Sequence, residues 1–397
     1  MLTPPLWLDP LPQPRPALRG PLAVDVVVLG AGLCGASAAL HLVDEGLRVA
    51  VVESRAGAMA ASGRNAGFIL QGTAERYSRA RSLMGHDRAR RVHGWSVQNH
   101  LRMAEAITRL GIDCEYQRRG SLQIGSGAEE EAELLESARM MVEDGFDAEL
   151  RQGDALREVY RRRGNTVALY LPGDGEVHPA RLVRGLLDAA ERGGARIFEG
   201  SPATALDASR PGDVRVSTPE GEITAEVAVV ALNARVGDLL PYFRDKVDPV
   251  RGQMLATAPL PPLFECPIYA NHGYDYWRQD PAGRIVLGGW RNLDPEAEVG
   301  HAEVLHEQIQ ARMTDFVQSW VPDQPVQVTH RWSGIMGFSR DGLPLVGPAP
   351  GTPGAVVGAG FTGHGFGFAF LAGAALARLI VDGQHPFCDD LSPHRMR

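Results

Sequence analysis

Between the apolar runs VDVVVL and VAVVE the chain carries Gly30-Ala31-Gly32-Leu33-Cys34-Gly35, and no other stretch restricts its fold as strongly. An apolar strand that passes directly into glycines, then into an apolar-periodic helix ending near Gly46, then into a second strand closing on Glu53, reads as a strand–helix–strand unit for a dinucleotide. Gly30 permits the tight turn, Gly32 admits a pyrophosphate to the helix start, and Gly35 lets helix and strand pack closely. Glu53 lies 23 positions past Gly30, where a carboxylate can accept hydrogen bonds from ribose hydroxyls. An acid there favours a free ribose, as in FAD or NAD, over a 2'-phosphate. Ser54 and Arg55, which follow it, join the expected cofactor contacts. Cys34 reads as a small buried residue of the helix start rather than an activated thiol.

A chain of 397 residues with 44% hydrophobic composition can bury one large or two medium cores. The net charge of -8 carries no long acidic run, so neither nucleic acid nor an acidic membrane surface is expected as a partner. No stretch reads as a membrane span of roughly 20 apolar residues. The four cysteines are far apart with no CxxC pair, which argues against zinc and disulfides and for reduced thiols in the cytoplasm. The proline-rich start, residues 1–22, reads as an extended surface arm.

Beyond the nucleotide unit, residues 74–112 and 128–163 are helical in period. The basic stretch RYSRARSLMGHDRARRVHGW reads as a solvated helix face, given the acidic AEEEAELLE nearby. Residues 250–290 alternate apolar and polar, as a half-buried antiparallel sheet does. The fold class is therefore α/β, a Rossmann-like domain with a discontinuous second domain built on an antiparallel sheet. The nucleotide domain is expected from residues 23–94, 174–236 and 328–391, and the substrate domain from 95–173 and 237–327.

The segments ASGRNAG, VHPARLVRGLL, VVALNA, WSGIMGFSRDGLPLVGP and GFTGHG resemble the FAD-dependent D-amino-acid oxidase family over nearly the whole chain after the arm. SGRN and ALNA are most similar to its gamma-glutamylputrescine oxidase branch, beside the sarcosine oxidase and glycine oxidase branches. The resemblance implies FAD. It implies that Ser62, Arg64 and Asn65 line the flavin, that the backbone near Ala203 meets adenine, and that Gly363, His364 and Gly365 face the pyrimidine edge. Gly63, Ala66, Gly67, Asn233, Gly334, Met336, Asp341, Gly360 and Thr362 complete the expected cofactor set. A helix start at the pyrimidine edge would stabilise negative charge on a reduced ring through its N–H groups.

Three departures from those relatives bear on chemistry. Met336 stands where glycine oxidase carries its carboxylate-binding arginine, and methionine offers a carboxylate no donor. Gly334 lies near the flavin-linking cysteine position of sarcosine oxidase, so the FAD is expected to be noncovalent, and Gly367 replaces that enzyme's carboxylate-binding lysine. The lysine that assists oxygen there has no counterpart, because Lys246, the sole lysine, lies well before the matching strand near Val286. The acceptor thus stays open between oxygen, with peroxide formed, and a quinone or protein.

In NHGYDYWRQ a strand would place Tyr274, Tyr276 and Arg278 on one face, aromatic groups for an amine and a guanidinium for a distal carboxylate. The expected function is oxidation of a C–N bond in an amine or N-substituted amino acid by hydride transfer to flavin N5, giving an imine that water hydrolyses. Arg64, His364, Tyr276 and Arg278 are the catalytic candidates. No metal site is expected. A flavin-holding subunit of a larger complex, with the arm as a docking piece, is the alternative from another class; a homodimer or an electron-acceptor protein are the candidate macromolecular partners.

Overall fold

The computed structural model describes residues 2–11, 13–125, 127–161 and 163–396. Its centre is a six-stranded sheet in the order Leu345–Pro348, Ala355–Ala359, Val227–Val230, Val26–Leu29, Val49–Val52, Arg196–Phe198. All neighbours run parallel except the first pair. Period-two alternation explains why the strands Val26–Leu29 and Val49–Val52 are continuously apolar. Val26, Val28, Val49 and Val51 enter the core beneath the helices, while Val27, Leu29, Ala50 and Val52 enter a second core under a four-stranded sheet. The helices Leu33–Asp44, Pro179–Arg192 and Gly365–Asp382 pack on the first face. The four-stranded sheet, ordered Gly20–Ala23, Gly221–Ala225, Val214–Ser217 and Ala205–Asp207, includes a hairpin over Val214–Ala225.

The second layer is an eight-stranded sheet around the long strands Val247–Pro259 and Val328–Ser339. It is antiparallel as expected except where Ile268–Ala270 pairs in parallel with Ser121–Ile124. Helix Glu307–Gln318 covers its outer face over Trp277, Trp290 and Phe264. The basic helices between the sheets are neutralised locally, Arg76 by Glu130 and Glu133, Arg91 by Asp390 and Arg81 by Asp144.

Two expectations are corrected. Gly365–Asp382 is an 18-residue helix of mean hydropathy 1.6, long and apolar enough to cross a membrane by composition. It is two-thirds buried, and its small residues let it lie against the glycine-motif helix: a Cβ on Gly373 would approach the Cys34 carbonyl to 2.4 Å. A core helix enclosed all round is apolar all round, which is why it imitates a span. The first residues are likewise not a surface arm. Leu6, Trp7 and Leu8 are buried, the Trp7 Nε1 donates to the Asn65 carbonyl at 2.6 Å, and Gly20–Ala23 joins a sheet. Arg15 is held by Glu199, Glu191 and Asp188. Met1 and Pro12 lie outside the described residues.

Buried Asp174 accepts from the Gln71 N–H at 2.8 Å and the Ser121 hydroxyl at 2.6 Å, tying the segment after Ile69 to strand Ser121–Ile124. Burial pushes its carboxyl up to about 7, against the two hydrogen bonds and Arg118. A folded pKa above the unfolded one gives stability that is complete below the unfolded value and is lost as pH rises through about 7. Asp174→Asn mimics the protonated acid, so its urea midpoint should exceed that of the parent at pH 8 by an amount worth about 2–4 kcal/mol, the gap narrowing as pH falls through about 7 and closing only below about pH 4. Equal midpoints at both pH values would refute this.

Candidate active site

A cavity of about 860 Å³ runs from the glycine motif, past the ASGRNAG segment, to the start of the final helix. At its nucleotide end Gly30, Gly32, Leu33 and Cys34 form one wall, and Glu53, Ser54 and Arg55 another. Gly30 has φ +103°, which only glycine adopts readily, and its carbonyl would lie 1.9 Å from a Cβ on Gly35. Gly35 therefore serves close packing and does not line the cavity. The Glu53 carboxylate accepts from the N–H groups of Ala31 and Arg55, both at 2.9 Å, and from the Ser54 hydroxyl at 3.1 Å. It is thus held in place at the rim without a cationic side chain. Ala203 lines the far nucleotide end beside Pro202. Burial pushes the Cys34 thiol up to about 12, so it is an inert neighbour of the helix start.

The middle of the cavity is organised by ASGRNAG. Ser62 accepts from the Leu33 N–H at 3.0 Å, fastening this segment to the glycine helix. Asn65 locks its own turn, accepting from the Gly67 N–H and donating to the Ala61 and Ser62 carbonyls. Arg64 donates to the Met59 carbonyl at 2.8 Å and the Ser333 carbonyl at 2.9 Å, and pairs with Glu303 at 2.9 Å. Ser62, Arg64, Asn65 and Ala66 face the cavity, whereas Gly63 and Gly67 lie behind it. Added Cβ atoms at those two glycines would sit 2.1 Å from the Ala58 carbonyl and 2.2 Å from the Val177 carbonyl.

At the other end Gly334, Met336, Thr362, Gly363, His364 and Gly365 line the cavity where the final helix begins. Thr362 and Gly363 both have positive φ, which turns the chain sharply into that helix. Asn233 faces the cavity and accepts from the Gly360 N–H at 3.0 Å; Gly360 itself sits behind the wall. Burial, then Arg291, push His364 down to about 4, the Thr362 carbonyl acting the other way. The ring is therefore neutral at ordinary pH.

Three sequence readings are corrected. Arg278 points away from the cavity: it is 1% exposed, donates to the Ala66 carbonyl at 2.7 Å and the Val177 carbonyl at 2.9 Å, and faces Glu176 and the Trp7 ring. Tyr274 is in a helical conformation just before the strand, so it does not share the cavity face of Tyr276. Asp341 lies outside the cavity and pairs with Arg395 at 2.7 Å. Tyr276 does line the cavity, in an aromatic box with Phe68, Tyr269 and His364, ring centroids about 6 Å apart. Sequence reasoning passed over Tyr269, Phe68, Arg291 and Glu303, all cavity residues. Tyr269 lies just before the NHGYDYWRQ segment and Arg291 just after the next strand, Arg284–Gly289; Glu303 carried no local signal.

The arrangement suits FAD. Its space is continuous from one glycine-rich helix start to the other, and a side chain at Gly32 would project beside Ser62 Oγ, 3.1 Å from the added Cβ. The donor set is that of a diphosphate and an electron-rich ring, N–H groups of helix starts at both ends. Among the described residues no cluster could hold a metal ion.

Comparison with known proteins agrees with that geometry. A profile of the FAD dependent oxidoreductases of the DAO family matches residues 25–379. Gamma-glutamylputrescine oxidoreductase of Escherichia coli is 28% identical over 380 residues, spanning 92% of this chain and 86% of that protein. Glycine oxidase of Geobacillus kaustophilus is 27% identical over 383 residues, spanning 93% and 95%. The crystal structure of glycine oxidase from the same organism superposes with a TM-score of 0.79 over 94% of this chain and 98% of that one, at 23% identity.

Proposed function

Because the chain belongs to the FAD dependent oxidoreductases of the DAO family, we propose that it oxidises the C–N bond of an amine or N-substituted amino acid at the aromatic end of its cavity. The observation that carries this reading is the box of Phe68, Tyr269, Tyr276 and His364 beside the glycine-rich helix start. Bound noncovalently along the cavity, FAD supplies the acceptor for a hydride from the carbon next to nitrogen. The chain's own groups position and polarise. Gly30, Gly32, Leu33 and Glu53 hold the nucleotide; the N–H groups around Gly363 to Gly365 offset negative charge at the opposite end.

Aromatic faces give the substrate's carbon skeleton an apolar seat and exclude water. Arg291, which has no carboxylate partner among the described residues, disfavours an ammonium and so favours the neutral amine whose lone pair drives the loss of hydride. An amine that loses its proton to solvent on binding needs no dedicated base, and neutral His364 is left to hydrogen-bond at the aromatic box. The neutral amine gives up a hydride, that is two electrons and one proton, to become an iminium ion, and water then cleaves the iminium to a carbonyl compound and the protonated smaller amine. Oxygen is our assigned acceptor, with peroxide formed. The sole lysine is engaged by Asp245 and the Tyr242 ring, outside the cavity, so the positive charge that assists oxygen reduction is left to the cavity arginines Arg64 and Arg291. The buried, free cysteines support a cytoplasmic location.

The test is an anaerobic panel of secondary amines, N-methyl amino acids and polyamine derivatives added to the purified FAD-loaded chain, followed by air. Loss of the oxidised flavin band with one class, and peroxide on readmitting air, are expected. No loss with any amine would end the reading; bleaching without peroxide would transfer the acceptor to a quinone or protein.

A further inference from the structure

Among the described residues four arginines line the cavity, and three of them are answered by carboxylates. Arg55 and Arg64 share Glu303, at 3.1 Å and 2.9 Å, and Arg235 meets Asp238 at 3.1 Å. Arg291 is the fourth. Among the described residues it has no anionic partner, and its guanidinium instead lies over the rings of Tyr274 and Phe338, 4.5 Å and 5.1 Å from their centroids. Such stacking orients the planar fork while leaving its N–H edges free to donate.

The backbone holds this side chain in a defined place. Gly289 has φ +124°, and a Cβ there would collide with the Tyr274 carbonyl at 1.8 Å. Trp290 follows in the left-handed region, donates its N–H to the same carbonyl at 2.8 Å, and buries its indole against Phe316. The chain thus leaves strand Arg284–Gly289 by a pinned turn that delivers Arg291 to the cavity. Met336, also a cavity residue, gives a carboxylate no donor, and Arg278 is fully used elsewhere.

We propose that Arg291 is the anion receptor of the substrate site, so that the substrate is an amine that also carries a carboxylate, its nitrogen in the aromatic box and its carboxylate on the Arg291 fork. This rests on the amine-oxidising reading and narrows it: amino acids and carboxylated amines are taken, while simple polyamines lack the group that Arg291 binds. A half-buried guanidinium facing a cavity has free N–H edges, and a two-oxygen acceptor satisfies them through charge-assisted bonds.

The experiment titrates benzoate and its uncharged counterpart benzamide into the FAD-loaded protein, following the visible flavin spectrum, with Arg291→Met and Arg291→Lys alongside the parent. Benzoate should perturb the spectrum and benzamide should not. Arg291→Met should weaken benzoate by about ten- to a hundredfold, the worth of a lost charge-assisted bond, with an unchanged melting temperature; Arg291→Lys should recover part of the loss. In the amine panel, carboxylated amines should bleach the flavin and Arg291→Met should raise their KM more than it lowers kcat. Benzoate binding equally well to Arg291→Met, or no benzoate binding to the parent, overturns the assignment. Bleaching by amines that lack a carboxylate, with carboxylated ones inert, overturns it while sparing amine oxidation; an inert panel despite Arg291-dependent benzoate binding sinks amine oxidation instead.

Discussion

Gly32→Val should yield a folded protein that no longer retains FAD. Gly32 has φ −82° and ψ −173°, backbone values that an L residue accepts, so its substitution does not strain the turn as one at Gly30 would. Its side chain would instead enter the cavity beside Ser62 Oγ, 3.1 Å from the added Cβ, where the helix start presents its N–H groups. A branched side chain there fills the approach of the diphosphate and displaces the oxygen that accepts from Leu33. We expect FAD affinity to fall by at least about a hundredfold, equivalent to roughly 3 kcal/mol, with far-UV circular dichroism unchanged and the protein purified colourless. A yellow Gly32→Val protein with parental affinity would show that the cofactor does not use this helix start.

Arg278→Met is expected to cost stability rather than substrate recognition. The guanidinium satisfies two buried carbonyls from segments far apart in the chain and faces Glu176 at 3.5 Å, both side chains being 1% exposed. Methionine fills much of the volume and supplies none of the donors. Glu176 would retain only its contact with the more exposed Arg119. Removing one member of such a buried pair costs about 3–5 kcal/mol. Thermal and urea unfolding should both move accordingly, while the protein that remains folded keeps its KM and its preference among amines. A large rise in KM with unaltered stability would return Arg278 to the substrate site. The contrast with Arg291→Met, expected to lose anion binding and keep its melting temperature, separates the two arginines by opposite phenotypes.

The same pair shows where reading the sequence succeeds and where it stops. Tyr276 and Arg278 do share a face of their strand, as alternation demands, yet only Tyr276 reaches the cavity. Farther along that face the segment carrying Ala66 and Gly67 lies across Arg278, so that its side chain is enclosed. Tyr274 fails for a different reason: His272 at φ +50° and the turn around it delay the start of the strand until Asp275. Asp341 belonged to a recognisable motif, but its partner, Arg395, is 54 residues away. Trp7 and Arg15 were hidden within a proline-rich segment whose composition resembles an exposed arm, while their partners Asn65 and Glu199 are distant in sequence.

What the sequence settled by itself is whatever backbone chemistry enforces within a few residues: glycines where φ is positive or a Cβ has no room, apolar runs where a strand is covered on both faces, and helix starts left free for a charged ligand. Those local rules were sufficient for the α/β class and the dinucleotide unit, while the flavin expectation came from the family resemblance. The tertiary structure alone decided which arginine is spent on the core and which is left facing the cavity, how Glu303 comes to serve Arg55 and Arg64 together, and that the first residues are part of the core. A charged side chain's role depends on which distant groups meet it when the sheets close, and strand alternation specifies a direction without specifying what lies there.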